Sequence, residues 1–96
     1  MKKQINDSDM NVLMDAVLTL KDRDEAYRFF EDLCTIGELE AMQQRLVVAK
    51  MLMGEKTYQE IAEATGASTA TISRVNRTLR YGNEGYEMAL MRLKVD

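Results

Sequence analysis

The stretch Tyr58-Gln-Glu-Ile-Ala-Glu-Ala-Thr-Gly-Ala-Ser-Thr-Ala-Thr-Ile-Ser-Arg-Val75 decides the fold. Two short helical patterns meet at Gly66, a residue able to take positive φ at little cost in a tight turn. Ala62 supplies the small side chain needed where two helices cross steeply. Ile61, Ile72 and Val75 fall on the inward side at the spacing that pins the second helix on the first. Thr57-x-x-Glu60 reads as a capping box that opens the first helix, and Ser68 caps the second. The spacing predicts a helix-turn-helix over Thr57–Arg80, its second helix running from about Thr69 to Arg80 and stopped by Gly82. Thr65 departs from the pattern, since an apolar residue is more usual just before such a turn; its methyl is expected to pack.

The outward face of the second helix gives the motif a function. Ser68, Thr69, Ala70, Thr71 and Ser73 are small, so the backbone there can approach base edges. Helices that read DNA enter the major groove by this end, where their free N–H groups also favour phosphate. Arg74 and Arg77 follow a turn later, within reach of phosphate or a guanine edge. Thr57 and Gln59, at the start of the first helix, are placed to hold the DNA backbone. Between Gly66 and Gly82 there are three arginines, at 74, 77 and 80, and no acid.

Outward from this segment the chain reads as helix throughout. Met10, Leu13, Met14 and Val17 mark a first helix over about Asp9–Leu20, after a polar stretch, 1–8, that is expected to be disordered. Asp22-x-x-Glu25 opens a second helix to about Leu33, with Ala26, Phe29, Phe30 and Leu33 inward. Thr35-x-x-Glu38 opens a third to about Met53, where Leu39, Met42, Leu46, Ala49 and Met53 repeat at spacings of three and four. Val47, Val48, Met51 and Leu52 make its second half apolar nearly all round, so it must be covered on several sides. Gly54 is the expected left-handed stop. A last helix, about Asn83–Lys94, carries Tyr86, Ala89, Leu90 and Leu93 on one side. No strand alternation occurs, and no linker divides the 96 residues, so one helical domain over 1–96 is expected.

Composition narrows the class. Cys34 is the single cysteine and histidine is absent, so neither an intrachain disulfide nor a Cys/His zinc site can form, and no metal is expected. Cys34 and the methionines at 10, 14, 42, 51, 53, 88 and 91 read as core filler. So small a core favours association with a second chain. The apolar runs are too short to span a membrane, and the first residues lack the apolar stretch of a signal peptide, which points to the cytoplasm. The net charge of −3 hides an uneven distribution. Residues 1–55 carry seven basic and eleven acidic side chains, residues 56–96 six and five. The acidity lies outside the segment read as facing DNA. No nucleophile–base pair, paired carboxylate site or phosphate-cradling loop stands out, so no enzyme is expected.

The runs Glu38-Leu-Glu-Ala-Met-Gln-Gln-Arg45, Gly54-Glu-Lys-Thr-Tyr-Gln-Glu-Ile61 and Gly66-Ala-Ser-Thr-Ala-Thr-Ile-Ser-Arg-Val-Asn76 resemble the Trp repressor superfamily, in particular its YerC/YecD group. The likeness covers about Thr35–Arg80. It implies an all-α, six-helix fold that forms an intertwined homodimer. The implied function is that of a bacterial transcriptional repressor on double-stranded DNA. Two reading heads one DNA turn apart, about 34 Å, then call for a palindromic operator.

The resemblance also implies a place for a corepressor between Arg45 and Arg74, with Thr35, Thr71 and Thr78 as polar contacts. Val75 stands where the family has a glycine, and its branched side chain takes the space an indole needs. L-tryptophan is therefore not the expected ligand, and no cofactor is expected; another small corepressor, or none, stays open. The alternative reading of the residues is a scaffold whose acidic first helices dock another protein, with the arginines forming a solvated face.

Overall fold

Six α-helices make up residues 7–93, the residues described by the computed structural model: α1 (Asp7–Leu18), α2 (Arg23–Leu33), α3 (Ile36–Met53), α4 (Tyr58–Thr65), α5 (Thr69–Tyr81) and α6 (Gly85–Leu93). There is no strand among the described residues. Helix α1 starts two residues ahead of the expected position, so Asp7 and Ser8 are helical rather than frayed. The remainder of the expected disordered tail, residues 1–6, and Lys94 of the last helix lie outside the described residues. Helix α1 also ends at Leu18 instead of Leu20. There the N–H groups of Thr19 and Leu20 turn back to the carbonyls of Ala16 and Val17, at 3.1 Å each, in tightened i to i−3 bonds.

The chain groups into two compact units, one up to Ile36 and one from Gly37 onward. The first holds α1 and α2. Asp22 caps α2 by accepting the Glu25 N–H at 2.9 Å. Glu25 reaches back one residue further than a capping box requires, to the N–H of Lys21 at 2.9 Å. Phe29 and Phe30 meet edge to face, ring centres 5.3 Å apart. Neither α1 nor α2 contains a fully buried side chain, and Met14 and Leu33, expected inward, are exposed. Cys34, expected to be buried, is half-buried at the end of α2.

The second unit contains the core. Val48 and Ala49 from α3, Ile61 from α4, Ala67 from the turn, Ile72 and Val75 from α5 and Leu90 from α6 are buried together. Met51, Leu52, Ala62, Leu79 and Tyr86 pack around them. The inward residues expected of the helix-turn-helix are all here, because 72, 75 and 79 recur on one side of α5. Not every apolar residue of α3 is covered. Met42, Leu46, Val47 and Met53 on it are exposed, as are Met88 and Met91 on α6, so these methionines are not core of the single chain.

The end of α3 corrects the reading of Gly54. Glu55 donates to the Leu52 carbonyl at 3.0 Å and Lys56 to the Met51 carbonyl at 3.1 Å, the paired bonds of a Schellman motif. That geometry puts the left-handed residue one place beyond the cap, so Glu55 takes φ 63° and Gly54 does not. Helix α6 likewise starts at Gly85 and not at Asn83, because Glu84 before it has φ 65° and lies outside helical space.

Candidate nucleic-acid interface

Helix α4 opens with the expected reciprocal cap. The Thr57 hydroxyl accepts the Glu60 N–H at 3.1 Å, and the Glu60 carboxylate accepts the Thr57 N–H at 2.8 Å. That backbone bond holds the Glu60 carboxyl below its ordinary pKa, against the opposing effect of desolvation and with lesser help from the Thr57 side chain and the nearby Lys56 charge. Helix α4 ends at Gly66, whose φ of 75° is left-handed and whose N–H donates to the Ala62 carbonyl at 2.9 Å. Ser68 then caps α5 by accepting the Thr71 N–H at 3.1 Å.

The turn is more polar inside than its sequence suggests. The Thr65 hydroxyl donates to the Ile61 carbonyl at 2.8 Å and accepts the Ala67 N–H at 3.1 Å. The Thr65 hydroxyl thus takes a direct part in holding the turn. Asn76, half-buried on α5, donates to the Tyr58 hydroxyl on α4 at 3.2 Å. Neither Thr65 nor Asn76 was legible as a link, since each bond depends on how the two helices meet.

All nine residues expected to face DNA lie on the second unit. Thr57, Gln59, Ser68, Thr69, Ala70, Ser73, Arg74 and Arg77 are exposed, and Thr71 is half-buried with its hydroxyl accepting from Ser68 at 3.1 Å. Residues 70, 73, 74 and 77 recur at the spacing of one helix face, opposite Ile72, Val75 and Leu79. Among the described residues, Arg74, Arg77 and Arg80 are in no ion pair. Gln59 is placed differently from the others: its amide donates to the Glu63 carboxylate at 3.3 Å, next to a negative charge.

The residues implied for a corepressor stand in different surroundings. Arg45 is half-buried and, among the described residues, pairs with no acid. The Thr78 hydroxyl donates to the Arg74 carbonyl at 3.2 Å, within α5. Thr35 is exposed just before α3. Val75 is 2% exposed, its side chain spent on the core. An open cleft of about 380 Å³ is lined by Glu40, Gln43, Gln44 and Val47 of α3 and Ala64 and Thr65 of α4, and by none of these five.

Two helices joined at a left-handed glycine, with an inward apolar face and an outward face of small and basic residues, define a helix-turn-helix. The chain belongs to the Trp repressor family: the family model for the Trp repressor protein matches residues 8–94. It is 54% identical over 91 residues to the uncharacterized protein YerC of Bacillus subtilis, covering 95% of this chain and 88% of that protein, which places it in the YerC group. A TrpR-like protein from Eubacterium eligens has the same fold, with a TM-score of 0.89 and 58% identity over 92% of this chain and 91% of that one. A structure described as a Trp repressor candidate, from Staphylococcus aureus, aligns with a TM-score of 0.88 and 49% identity over 93% of this chain and 89% of that one. The six-helix, Trp-repressor-like fold is thereby established. Among the described residues no helix is long and apolar enough to cross a membrane.

Proposed function

We propose that this chain is a sequence-specific regulator of transcription, a cytoplasmic repressor that binds double-stranded DNA through the outward face of α5. One observation carries the reading: that face joins small exposed residues at the helix start to arginines that no described acid neutralises. Ser68, Thr69, Ala70, Thr71 and Ser73 let the backbone reach base edges, while Arg74 and Arg77 meet phosphate or guanine. Thr57 and Gln59 steady the DNA backbone. Gln59 must first turn away from Glu63, so of the nine it contributes least. The family supports regulation over catalysis.

The regulator acts as a homodimer on a palindromic site. The exposed Met42, Leu46 and Val47 of α3 and the exposed Met88, Met91 (64%) and Leu93 (72%) of α6 support this, since a single chain leaves this apolar surface in water. A second copy covers it, and sedimentation at micromolar concentration should give a mass above one chain.

The half-buried Arg45, which pairs with no acid among the described residues, favours a second reading, in which a small anionic corepressor lies between Arg45 and Arg74. The buried Val75 argues against an indole there. Selection of bound sequences from a random duplex pool, with and without amino acids, tests both. An enriched palindrome supports the regulator, and enrichment only with an added amino acid supports the corepressor. No enrichment, together with no binding at low salt, contradicts DNA reading altogether.

A further inference from the structure

Three hydrogen bonds converge on Thr65, the last residue of α4. Its hydroxyl donates to the Ile61 carbonyl and accepts the Ala67 N–H. Its own carbonyl accepts from Nε2 of Gln44, 21 residues earlier on α3, at 3.2 Å. Gln44 and Thr65 are both half-buried, and Ala67 is 4% exposed with its side chain in the core. A donor so placed has little access to water, so the Thr65 hydroxyl is what satisfies it.

The surroundings show why these bonds matter. Gly66 turns the chain, but a Cβ built there would touch nothing within 4 Å. Nothing crowds the glycine itself; the chain leaving it is held by the buried Ala67 and by the bond from the Ala67 N–H to the Thr65 hydroxyl. The open cleft between Glu40, Gln43 and Val47 of α3 and Ala64 of α4 flanks the Gln44–Thr65 bond. One turn before the packed Val48 and Ala49, the amide–carbonyl bond adds a polar tie between α3 and the end of α4.

We propose that Gln44 and Thr65 are positioning residues of the reading head. Gln44 anchors the end of α4 to α3, and the Thr65 hydroxyl fixes the exit from Gly66 into α5. Together they set the angle of α5 against α3. This rests on the reading of α5 as the DNA-facing helix. If α3 also forms the spine of a dimer, the same bonds set the separation of the two reading helices. Neither residue touches DNA; both act through the placement of Ser68 to Arg77.

The test compares wild type with Gln44→Met and Thr65→Val, which keep the side-chain size and remove the polar atoms, and with Thr65→Ser, which keeps the hydroxyl. For each, affinity is measured for the selected duplex and for an unrelated duplex at low salt. The ratio of the two should fall several-fold in Gln44→Met and Thr65→Val, the whole worth of one hydrogen bond, about tenfold, being the ceiling, and return towards wild type in Thr65→Ser. Affinity for the unrelated duplex should hold, since phosphate contacts need no exact helix angle. A wild-type ratio in both Gln44→Met and Thr65→Val overturns the proposal, as does an equal loss on both duplexes, which would mark a merely structural role. Should Thr65→Val fail to fold, Gln44→Met decides alone. A wild-type chain that prefers no sequence is a different result: it contradicts the DNA reading and takes this proposal with it.

Discussion

Gly82 closes α5 against the carbonyl of Thr78 so tightly that a Cβ at Gly82 would lie 2.6 Å from that oxygen and 2.9 Å from the Thr78 methyl. Its N–H donates to the same carbonyl at 2.8 Å, which ends the helix. Its φ of −89° is open to any residue, so close approach, not left-handed backbone, is why glycine stands here. Gly82→Ala should lower stability by about 1–3 kcal/mol, as overpacking against an unyielding backbone does. Urea unfolding measures this, and a variant as stable as wild type contradicts it.

Glu55 carries the opposite situation at the end of α3. It holds φ 63° with a side chain, a conformation that costs an L-residue roughly 1–2 kcal/mol. Glu55→Gly should raise stability by about 0.5–1 kcal/mol, the gain being reduced by the greater freedom of glycine in the unfolded chain. A shift of the urea midpoint to lower concentration would count against it.

These two sites show what the sequence could and could not convey. Thr57, Gly66 and Ser68 act locally, through bonds to residues three or four positions away, so the start, turn and restart of the motif were readable from spacing. The same local logic put the left-handed residue at Gly54, but the chain bends one residue later, and nothing in the letters separates a cap from the position after it. Gln44 and Thr65 were unreadable as partners because 21 residues separate them. Met42 and Met53 of α3, which fell on an apolar repeat, and Met88 and Met91 of α6 were read as core filler and are exposed, because an apolar side chain does not by its type say what covers it.

The Glu60 cap has a pH signature. Its folded-state pKa is depressed, chiefly by the Thr57 N–H, so the unfolded chain binds this proton more readily than the folded one. The stability it contributes is present above the ordinary carboxylate range and is lost as pH falls through the lower folded value. Glu60→Gln keeps an acceptor and removes the titration. Thermal melts from neutral to acid pH should show wild type losing stability relative to Glu60→Gln. Parallel curves would contradict this.

Arg74 has a salt signature. If it meets a phosphate, Arg74→Ala weakens binding on all sequences and lowers the slope of log affinity against log salt by about one for each phosphate left unneutralised. A weaker affinity with no preference remaining at one base pair, and an unchanged slope, would instead assign Arg74 to a guanine edge.

In the proposed function the start of α5 reads base edges. This is tested most directly by repeating the selection from a random duplex pool with Ala70→Arg, an exposed position at the head of the helix. Arginine pairs with guanine O6 and N7, so the enriched sequence should gain guanine at one base pair in each half-site and keep the rest. Enrichment of the unchanged wild-type sequence by Ala70→Arg would mean that α5 does not face the bases.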